Sequence, residues 1–279
     1  MAEKILQSKD KKTADAFATS WNNLPLGSVY TKEQFEDWMV PLSKNDVRGK
    51  RVLELGCGNG SLMVHMANWQ PAYLEGVDLG DSVASAEKNL SFVKLKNWKI
   101  TKNDLTTFSG NSFDVVYCIG VLHHLKDPKT GFDAIVRNTK LGGKFHAWVY
   151  AREGNGVIIY IVDPIRKVVS GLPWWFIKYC IATPLVTPFF FYAKLLYSLP
   201  RLSFLKKFPL YDYSLWIAKR EFSFFRHVAF DQLVTPQTTY IQKETIESWL
   251  KNTNEMKLRN PYIIMRNGNS WKFGGERVG

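Results

Sequence analysis

Cysteine is scarce in this chain, and its spacing excludes two kinds of site. The three cysteines are Cys57, Cys118 and Cys180, which lie far apart and form no CxxC or CxxH spacing. An odd, scattered set provides neither a disulfide framework nor a zinc site, and it suits a reducing compartment. We therefore expect a cytoplasmic protein that holds no metal.

Long apolar runs are lacking as well. Residues 1–17 contain no apolar segment of the kind that a secretory signal needs. In the most hydrophobic region, the longest charge-free run is Tyr179–Ala193, 15 residues that include two prolines. A membrane-spanning helix needs about 20 apolar residues. Because Lys178 and Lys194 bracket the run too closely for that length, we do not expect a transmembrane span.

Acidic side chains are few in one region. The net charge is +12, and residues 151–210 hold 8 Lys/Arg against 2 Asp/Glu, which is half of the whole excess. Basic charge among large apolar side chains favours contact with an anionic lipid surface or an acidic ligand. The alternative is an ordinary solvated face on a basic protein.

Short β-rich segments alternate with helical patterns up to about residue 150. The predicted strands are 52–56, 73–79, 99–105, 113–120 and 144–151, and the helices between them are 61–69, 82–96 and 128–140. Such alternation indicates βαβ units and a parallel sheet covered on both faces. A helix at 243–252 and two closing strands at 256–267 and 269–275 predict an antiparallel edge. The fold class is therefore α/β, a doubly wound, mostly parallel sheet of seven strands.

The first strand runs directly into a loop of three glycines, VLELGCGNG at residues 52–60. Gly56, Gly58 and Gly60 allow positive φ angles and let a ligand approach the main chain closely. The GxGxG spacing differs from the dinucleotide fingerprint GxGxxG. Glu54, two positions before the first glycine, suits a cationic ammonium group better than a phosphate. The loop therefore predicts a ligand site at the carboxyl end of the sheet.

Further motifs follow the next strands in order. Asp78 ends the second strand, Asp104 follows the third, and CIGVLHHLKDP at 118–128 follows the fourth. Together with the glycine loop, these motifs resemble the class I S-adenosylmethionine-dependent methyltransferases, in the small-molecule branch with VLELGCGxG and VLHHLxDP elements. The match covers residues 50–150, and it implies the Rossmann-like methyltransferase fold.

The resemblance implies a role for each matching residue. Glu54, Gly56, Cys57 and Gly58 would line the methionine end of S-adenosylmethionine, Asp78 would hold the ribose with Leu79 beside the adenine, Asp104 and Leu105 would bind the adenine, and Ile119 and Gly120 would contact the methionine portion through their backbone. Asp104 could instead be a turn or helix-capping residue. Cys57 serves as a small loop residue and not as a nucleophile.

Methyl transfer from a sulfonium needs alignment in a dry site, and a general base helps when the acceptor is a hydroxyl or an amine. Histidine is best matched to neutral pH. His123 and His124 follow the fourth strand, beside the expected methyl position, and we favour His124 as the base. His227 is a third candidate. We expect His65, within a helix, and His146, within the fifth strand, to be structural.

The acceptor site is predicted from two further regions. The segment 225–241 has no clean helix or strand period, which indicates a loop across the carboxyl edge of the sheet. Its polar residues Asp231, Gln232 and Tyr240 are candidates for acceptor binding, with the N-terminal aromatics Trp21 and Tyr30. The alternative for the segment is a buried polar network that ties the neighbouring insertion to the core.

The chain divides by these patterns into four segments: an N-terminal helical cap (1–49), the cofactor-binding core (50–151), a hydrophobic, basic insertion (152–224) and the C-terminal strands (225–279). We favour the insertion as a lid over the acceptor, with membrane contact or a homodimer interface as further uses. Contact with the inner face of a membrane would place Trp174, Trp175 and Tyr179 at headgroup depth, and Arg166, Lys167, Arg201, Lys206 and Lys207 on anionic lipid.

The predicted function is methyl transfer from S-adenosylmethionine to a small, amphipathic or lipid-like acceptor. Two alternatives stay open. An isoelectric point near 9.5 allows an RNA methyltransferase, although no RNA-binding module is visible and the sequence does not favour a nucleic-acid partner. A non-catalytic, cofactor-binding subunit would share the same core.

Overall fold

The structure is a computed structural model that describes residues 10–18, 27, 29–110, 112–199, 202–253 and 256–279. The candidate acceptor residue Trp21 and the candidate lipid-contacting residue Arg201 lie outside the described residues.

Seven strands within the described residues form one mixed sheet. They are β1 (Arg51–Leu55), β2 (Tyr73–Asp78), β3 (Trp98–Lys102), β4 (Phe113–Ile119), β5 (Thr139–Tyr150), β6 (Leu258–Arg266) and β7 (Ser270–Arg277). Their order is β3-β2-β1-β4-β5-β7-β6. Strands β1 to β5 are parallel, and β7 is antiparallel to both neighbours, β5 and β6. The predicted fold class is confirmed, including the antiparallel edge.

The helices lie on both faces of the sheet and in the insertion. They are α1 (10–18), α2 (Lys32–Met39), α3 (Lys44–Val47), α4 (Ser61–Ala67), α5 (Val83–Leu90), α6 (Pro128–Asn138), α7 (Asp163–Val169), α8 (Trp174–Phe176), α9 (Thr183–Ser198), α10 (Tyr211–Ile217), α11 (Phe222–Val234) and α12 (Lys243–Lys251). The two-residue alternation of β1 divides the core, because Leu53 packs on the α6 and α12 side and Val52 on the α2 and α4 side.

Helices α8 and α9 join into one helix of 25 residues, Trp174–Ser198. The prolines do not break this segment: Pro184 lies in the first turn of α9, just after a wide helical turn at Ile177–Ala182, and Pro188 lies within α9. Within the described chain, this one helix is long and apolar enough to cross a membrane by length and composition, with a mean hydropathy of 1.3. A lone helix of this kind is also common in proteins that do not cross a membrane.

The prediction of a loop over 225–241 is wrong for its first part, because α11 continues to Val234. This helix is apolar on more than one side: Phe225 packs against α9, while Phe230 and Leu233 pack against α7 and the wide turn before α9. A helix buried on several sides shows no single apolar face, so its period is hidden in the sequence. Only residues 235–240 are irregular, and Ile241 then pairs with Ala151 at the end of β5.

Candidate active site

The glycine loop leaves the carboxyl end of β1 in the conformation that its residues predict. Gly56, Gly58 and Gly60 have φ angles of 80°, 52° and 75°. The loop is anchored to β2 because the Gly56 and Cys57 amides donate to the carbonyl of Val77 over 2.7 and 3.1 Å. A Cβ at Gly56 would collide with Val121, whereas a Cβ at Gly58 would meet open space. The backbone at Gly58, which carries no side chain, therefore borders open space that a ligand can occupy.

Glu54 lies beneath this loop and is buried. The hydroxyl of Tyr117 donates to Glu54 Oε2 over 2.8 Å. Burial raises the pKa of Glu54 to about 8; the Tyr117 hydrogen bond opposes this shift, and the charge of Asp78 adds to it. A neighbouring cation would stabilise the ionised form of this buried carboxylate, and the expected ammonium partner is such a cation. The contact with Tyr117 was not predicted, because nothing in the order of residues links it to Glu54.

Asp78 forms hydrogen bonds that hold the glycine loop in place, and it also lines the cavity. Its Oδ2 accepts the amide of Gly58 over 2.9 Å, and its Oδ1 accepts the amide of Gly80 over 2.8 Å. Burial raises the pKa of Asp78, and these backbone hydrogen bonds work against that shift. The Leu79 amide and the Ser82 hydroxyl also bond this carboxylate, so a hydroxyl of a ligand would share or displace one of these donors.

Asp104 has the geometry of a turn residue, the alternative left open for it. Its Oδ1 accepts both the amide and the hydroxyl of Thr106, over 2.8 and 2.7 Å. The same carboxylate also lines the ligand cavity. The turn therefore fixes the direction of Asp104 and leaves Oδ2 available.

One cavity of about 520 Å³ runs from the glycine loop to the insertion. Its floor includes every residue that the resemblance assigned to the cofactor: Glu54, Gly56, Cys57, Gly58, Asp78, Leu79, Asp104, Leu105, Ile119 and Gly120. Its roof comes from α1, from α9 and α11, and from the turn before α7. The structure thus gathers the residues that four separate strand ends contribute, as expected at the carboxyl edge of a doubly wound sheet.

His124 lines the cavity, and its hydrogen bonds define its tautomer. Nδ1 lies 3.0 Å from the carbonyl of Gln237 and 3.1 Å from the hydroxyl of Thr238. Since a carbonyl can only accept, Nδ1 carries the proton and Nε2 presents a lone pair. Burial lowers the pKa of His124 to about 4, and the charge of Arg166 contributes in the same direction. The imidazole is therefore neutral at physiological pH, with a lone pair on Nε2.

The other histidines lie elsewhere. His123 is fully buried, and its Nδ1 accepts the amide of Tyr150 over 3.4 Å. His227 pairs with Asp231 over 3.3 Å, and neither His123 nor His227 is among the described residues that line the cavity. His65 Nε2 bonds the carbonyl of Tyr30 over 2.8 Å. Both ring nitrogens of His146 have partners, which agrees with a structural role.

The predicted acceptor residues Tyr30, Asp231, Gln232 and Tyr240 all line the cavity. Several lining residues were missed: Trp148, Tyr150, Tyr213, Trp216 and Arg266. Trp148 and Tyr150 stand at the carboxyl end of β5, a position that could have marked them. Trp216 and Arg266 carry no such signal, because only the folded insertion and the β6–β7 hairpin bring them to the site.

The chain resembles known methyltransferases in sequence over part of its length. Residues 53–145 match the family model described as a methyltransferase domain. The ubiquinone biosynthesis O-methyltransferase of Hahella chejuensis is 38% identical over 128 residues, 45% of this chain and 53% of that protein. Its counterpart in Pseudomonas syringae pv. tomato is 36% identical over 102 residues, 36% of this chain and 44% of that one. The chain spans about half the length of the curated relatives it matches.

The fold also matches a solved structure. Magnesium protoporphyrin IX methyltransferase from Synechocystis PCC 6803, solved with bound SAH, aligns with a TM-score of 0.50 at 12% identity, over 88% of this chain and 83% of that one. At this identity the likeness concerns the fold alone. Taken with the strand order and the family model, these findings define a class I S-adenosylmethionine-dependent methyltransferase domain, and residues 53–145 belong to that family.

Proposed function

We propose that this protein transfers a methyl group from S-adenosylmethionine to a small, amphipathic or lipid-like acceptor. The observation that carries the proposal is one continuous cavity, which joins a glycine loop and three carboxylates at one end to a largely hydrophobic roof at the other. The carboxylates would hold the cofactor: Glu54 its ammonium, Asp78 its ribose and Asp104 its adenine. The donor is already activated, so the protein mainly has to align the reactants and exclude water.

His124 is the proposed general base. It lies on the cavity wall with Nε2 unprotonated, and the edge of the Phe17 ring packs against it at 4.9 Å between centroids. A neutral imidazole beside the acceptor can take the proton of a hydroxyl as the methyl group arrives. The hydrogen bonds from Nδ1 to the 237–238 segment would hold the ring in place during that transfer.

The insertion is the proposed lid. Most of its cavity-facing side chains, with those of the adjoining α11, are aliphatic or aromatic, and the polar exceptions are Asn155, Asp231 and Gln232: the apolar set includes Val157, Ile158, Ile161, Val162, Leu185, Val186, Phe189, Phe225, Val228 and Ala229. Such a wall favours the apolar part of an acceptor through the hydrophobic effect. The two relatives described above are ubiquinone biosynthesis O-methyltransferases, which supports a lipid-like acceptor with a hydroxyl group.

We propose in addition that the insertion contacts the cytoplasmic face of a membrane. Large apolar side chains are exposed along it: Tyr160, Val168, Trp174, Trp175, Phe176, Tyr179, Phe191, Leu195, Tyr197, Leu202, Phe204 and Phe208. Lys167, Lys206 and Lys207 are exposed among them. Exposed apolar patches of this extent mark interaction surfaces, and the lysines favour anionic lipid over a second copy of the chain.

One predicted lipid contact is wrong. Arg166 is only 3% exposed and forms an ion pair with Asp163, so it cannot reach a headgroup. Its position on α7 directs the side chain inward, where the guanidinium interacts favourably with Tyr240. The helix period places the neighbouring Lys167 outward instead.

Incubation of the full chain with isotopically labelled S-adenosylmethionine and a fractionated cell extract tests the proposed activity. We expect label in an organic-extractable product that carries a methyl ether formed from a hydroxyl group. Label in RNA would favour a nucleic-acid methyltransferase. Tight cofactor binding by calorimetry without any labelled product would favour a non-catalytic subunit.

A further inference from the structure

One part of the cavity wall is a box of aromatic rings. Trp38 from α2, Trp148 from β5 and Trp216 from α10 line it, with Tyr30 and Tyr213 beside them. The rings contact each other: centroids are 5.7 Å apart for Trp38 and Trp148, 4.8 Å for Tyr30 and Trp38, and 5.6 Å for Tyr213 and Trp216. A flat aromatic group fits such surroundings better than a branched aliphatic one.

A buried cation stands in the wall of this box. Arg266, at the end of β6, lines the cavity and is 7% exposed. Its guanidinium carbon lies 5.8 Å from the ring centre of Trp38 and 5.3 Å from that of Trp216. Nε donates to Asp37 Oδ2 over 2.7 Å and Nη2 lies 2.5 Å from the same oxygen, whereas no hydrogen bond from Nη1 is found among the described residues. A guanidinium with a free edge presents a geometry that fits a carboxylate or a phenolate.

The positive charge at this wall is not balanced by its neighbours. Lys272, also buried, donates to the backbone carbonyl of Asp37 over 2.8 Å and lies 3.9 Å from Oδ1 of the same residue. Two buried cations therefore share one carboxylate, and that carboxylate is 43% exposed. Buried charge without a full partner is costly, so an anionic ligand would be stabilised here.

Unpartnered polar groups of both kinds lie in this cavity wall, since the side-chain oxygens of Gln34 and Gln232 are buried without a donor among the described residues. The indole N–H groups of Trp38 and Trp148 are buried and have no acceptor within the part of the chain that the structure describes. The roof also holds two acids, Asp10 on α1 and Asp231 on α11, and Asp231 Oδ2 lies 3.3 Å from His227 Nε2. An oxygen atom on the ligand would give these two indole groups an acceptor.

We propose that this box binds an acceptor whose aromatic ring carries an oxyanion, a carboxylate or a phenolate, and that Arg266 is the residue that recognises it. This inference depends on the proposed function only in that the bound molecule is called a methyl acceptor. Binding of that molecule does not require turnover. The ring lies among the tryptophans, the oxyanion pairs with Arg266, and the apolar remainder of the molecule extends along the lid.

Binding of two isosteric probes, 2-naphthoate and the neutral 2-naphthamide, tests the proposal on the full chain saturated with S-adenosylhomocysteine. We expect calorimetry to give naphthoate an affinity at least about tenfold higher than naphthamide. Arg266→Gln should remove the preference while naphthamide still binds, and Arg259→Gln, an exposed arginine on the same strand, should keep it. Equal affinities in the wild type, or a preference for 2-naphthylmethylamine, would overturn the proposal.

Asp37→Asn gives an independent test if Arg266→Gln does not fold. Removing the shared carboxylate leaves the two cations less balanced, so naphthoate should bind more tightly and naphthamide should be unaffected. A parallel fall for both probes would mean that Arg266 and Asp37 serve only packing. Binding of S-adenosylhomocysteine alone to the wild-type chain is measured separately. Failure of the wild type to bind it would count against the proposed methyltransferase and not against the oxyanion site.

Discussion

Tyr117 and Glu54 form a buried pair beneath the glycine loop, with the tyrosine hydroxyl donating to the carboxylate over 2.8 Å. The two side chains come from adjacent parallel strands, β4 and β1, and Glu54 lies opposite Tyr117 in the register. Because the pair is buried, the protonation state of Glu54 depends on the group that lies next to it in the cavity. An ammonium group of the cofactor would favour the ionised form, and an empty site favours the protonated form.

Glu54 should therefore couple protein stability to pH. Burial raises its pKa to about 8, from an ordinary value of 4.5. Between these values the folded protein holds a proton that the unfolded chain releases. The contribution to stability is then complete below pH 4.5 and is lost as the pH rises through 8. We expect Glu54→Gln to raise Tm by roughly 3 °C or more at pH 9 and to change it little at pH 5, by differential scanning calorimetry.

The control for this effect is Glu247→Gln, an exposed glutamate in an i,i+4 pair with Lys243 on α12. It should leave Tm within about 1 °C at both pH values, since surface pairs contribute little. An equal shift of Tm for Glu54→Gln at pH 5 and pH 9 would show that Glu54 does not titrate in this range. A second readout is proton release on cofactor binding at pH 7, seen as a binding enthalpy that depends on the buffer.

Gly58 offers a test of the loop that separates ligand contact from backbone strain. Its φ is 52° and a Cβ there would meet nothing within 4 Å, and the same is true of Gly142, whose φ is 73°. Substitution by alanine costs about 1 kcal/mol of strain at either position. Only Gly58 lines the cavity, so only Gly58→Ala should also weaken cofactor binding, by about tenfold or more in calorimetry. A comparable loss of affinity for Gly142→Ala would contradict the placement of the cofactor at this loop.

Much of this site was predictable because its residues follow strands in a fixed order. The strand ends at Leu55, Asp78 and Ile119 were within one residue of their predicted places, because apolar β-rich segments and glycine turns are local signals. Helix α11 and Arg266 were not predictable. The helix is buried on several sides, and Arg266 reaches the cavity only through pairing of β6 with β7, a long-range contact that no local pattern reports.

His124 should be needed for the chemical step and not for cofactor binding. We expect His124→Asn to lower kcat by about a hundredfold or more, because the lone pair at Nε2 is lost, with cofactor affinity unchanged within about twofold. Since burial lowers the pKa of His124 to about 4, the wild-type rate should fall on acidification only as the pH approaches 4. The same substitution at His227, outside the cavity wall, should have a much smaller effect on kcat. If His227→Asn lost as much activity as His124→Asn, the base would have to be sought on α11.

Contact with anionic membranes should depend on the exposed aromatic and basic side chains of the insertion. We expect the full chain to co-sediment with vesicles that contain phosphatidylglycerol and to stay in solution with purely zwitterionic vesicles or at high salt. Replacing Trp174 and Trp175 by alanine should weaken this binding by about tenfold, since each ring buries apolar area at the interface. Charge removal at Lys206 and Lys207 should weaken binding to the anionic vesicles only.

Phe92→Ala is the matched control for the aromatic substitutions, because Phe92 is 72% exposed but lies just after α5, away from the insertion. It should leave co-sedimentation unchanged. If the wild type instead formed a dimer in analytical ultracentrifugation, and the tryptophan substitutions dissolved that dimer without affecting vesicle binding, the exposed surface would be an interface between two copies. The two outcomes are distinct because lipid binding responds to the lysines and to salt, whereas an apolar dimer interface responds mainly to the tryptophans.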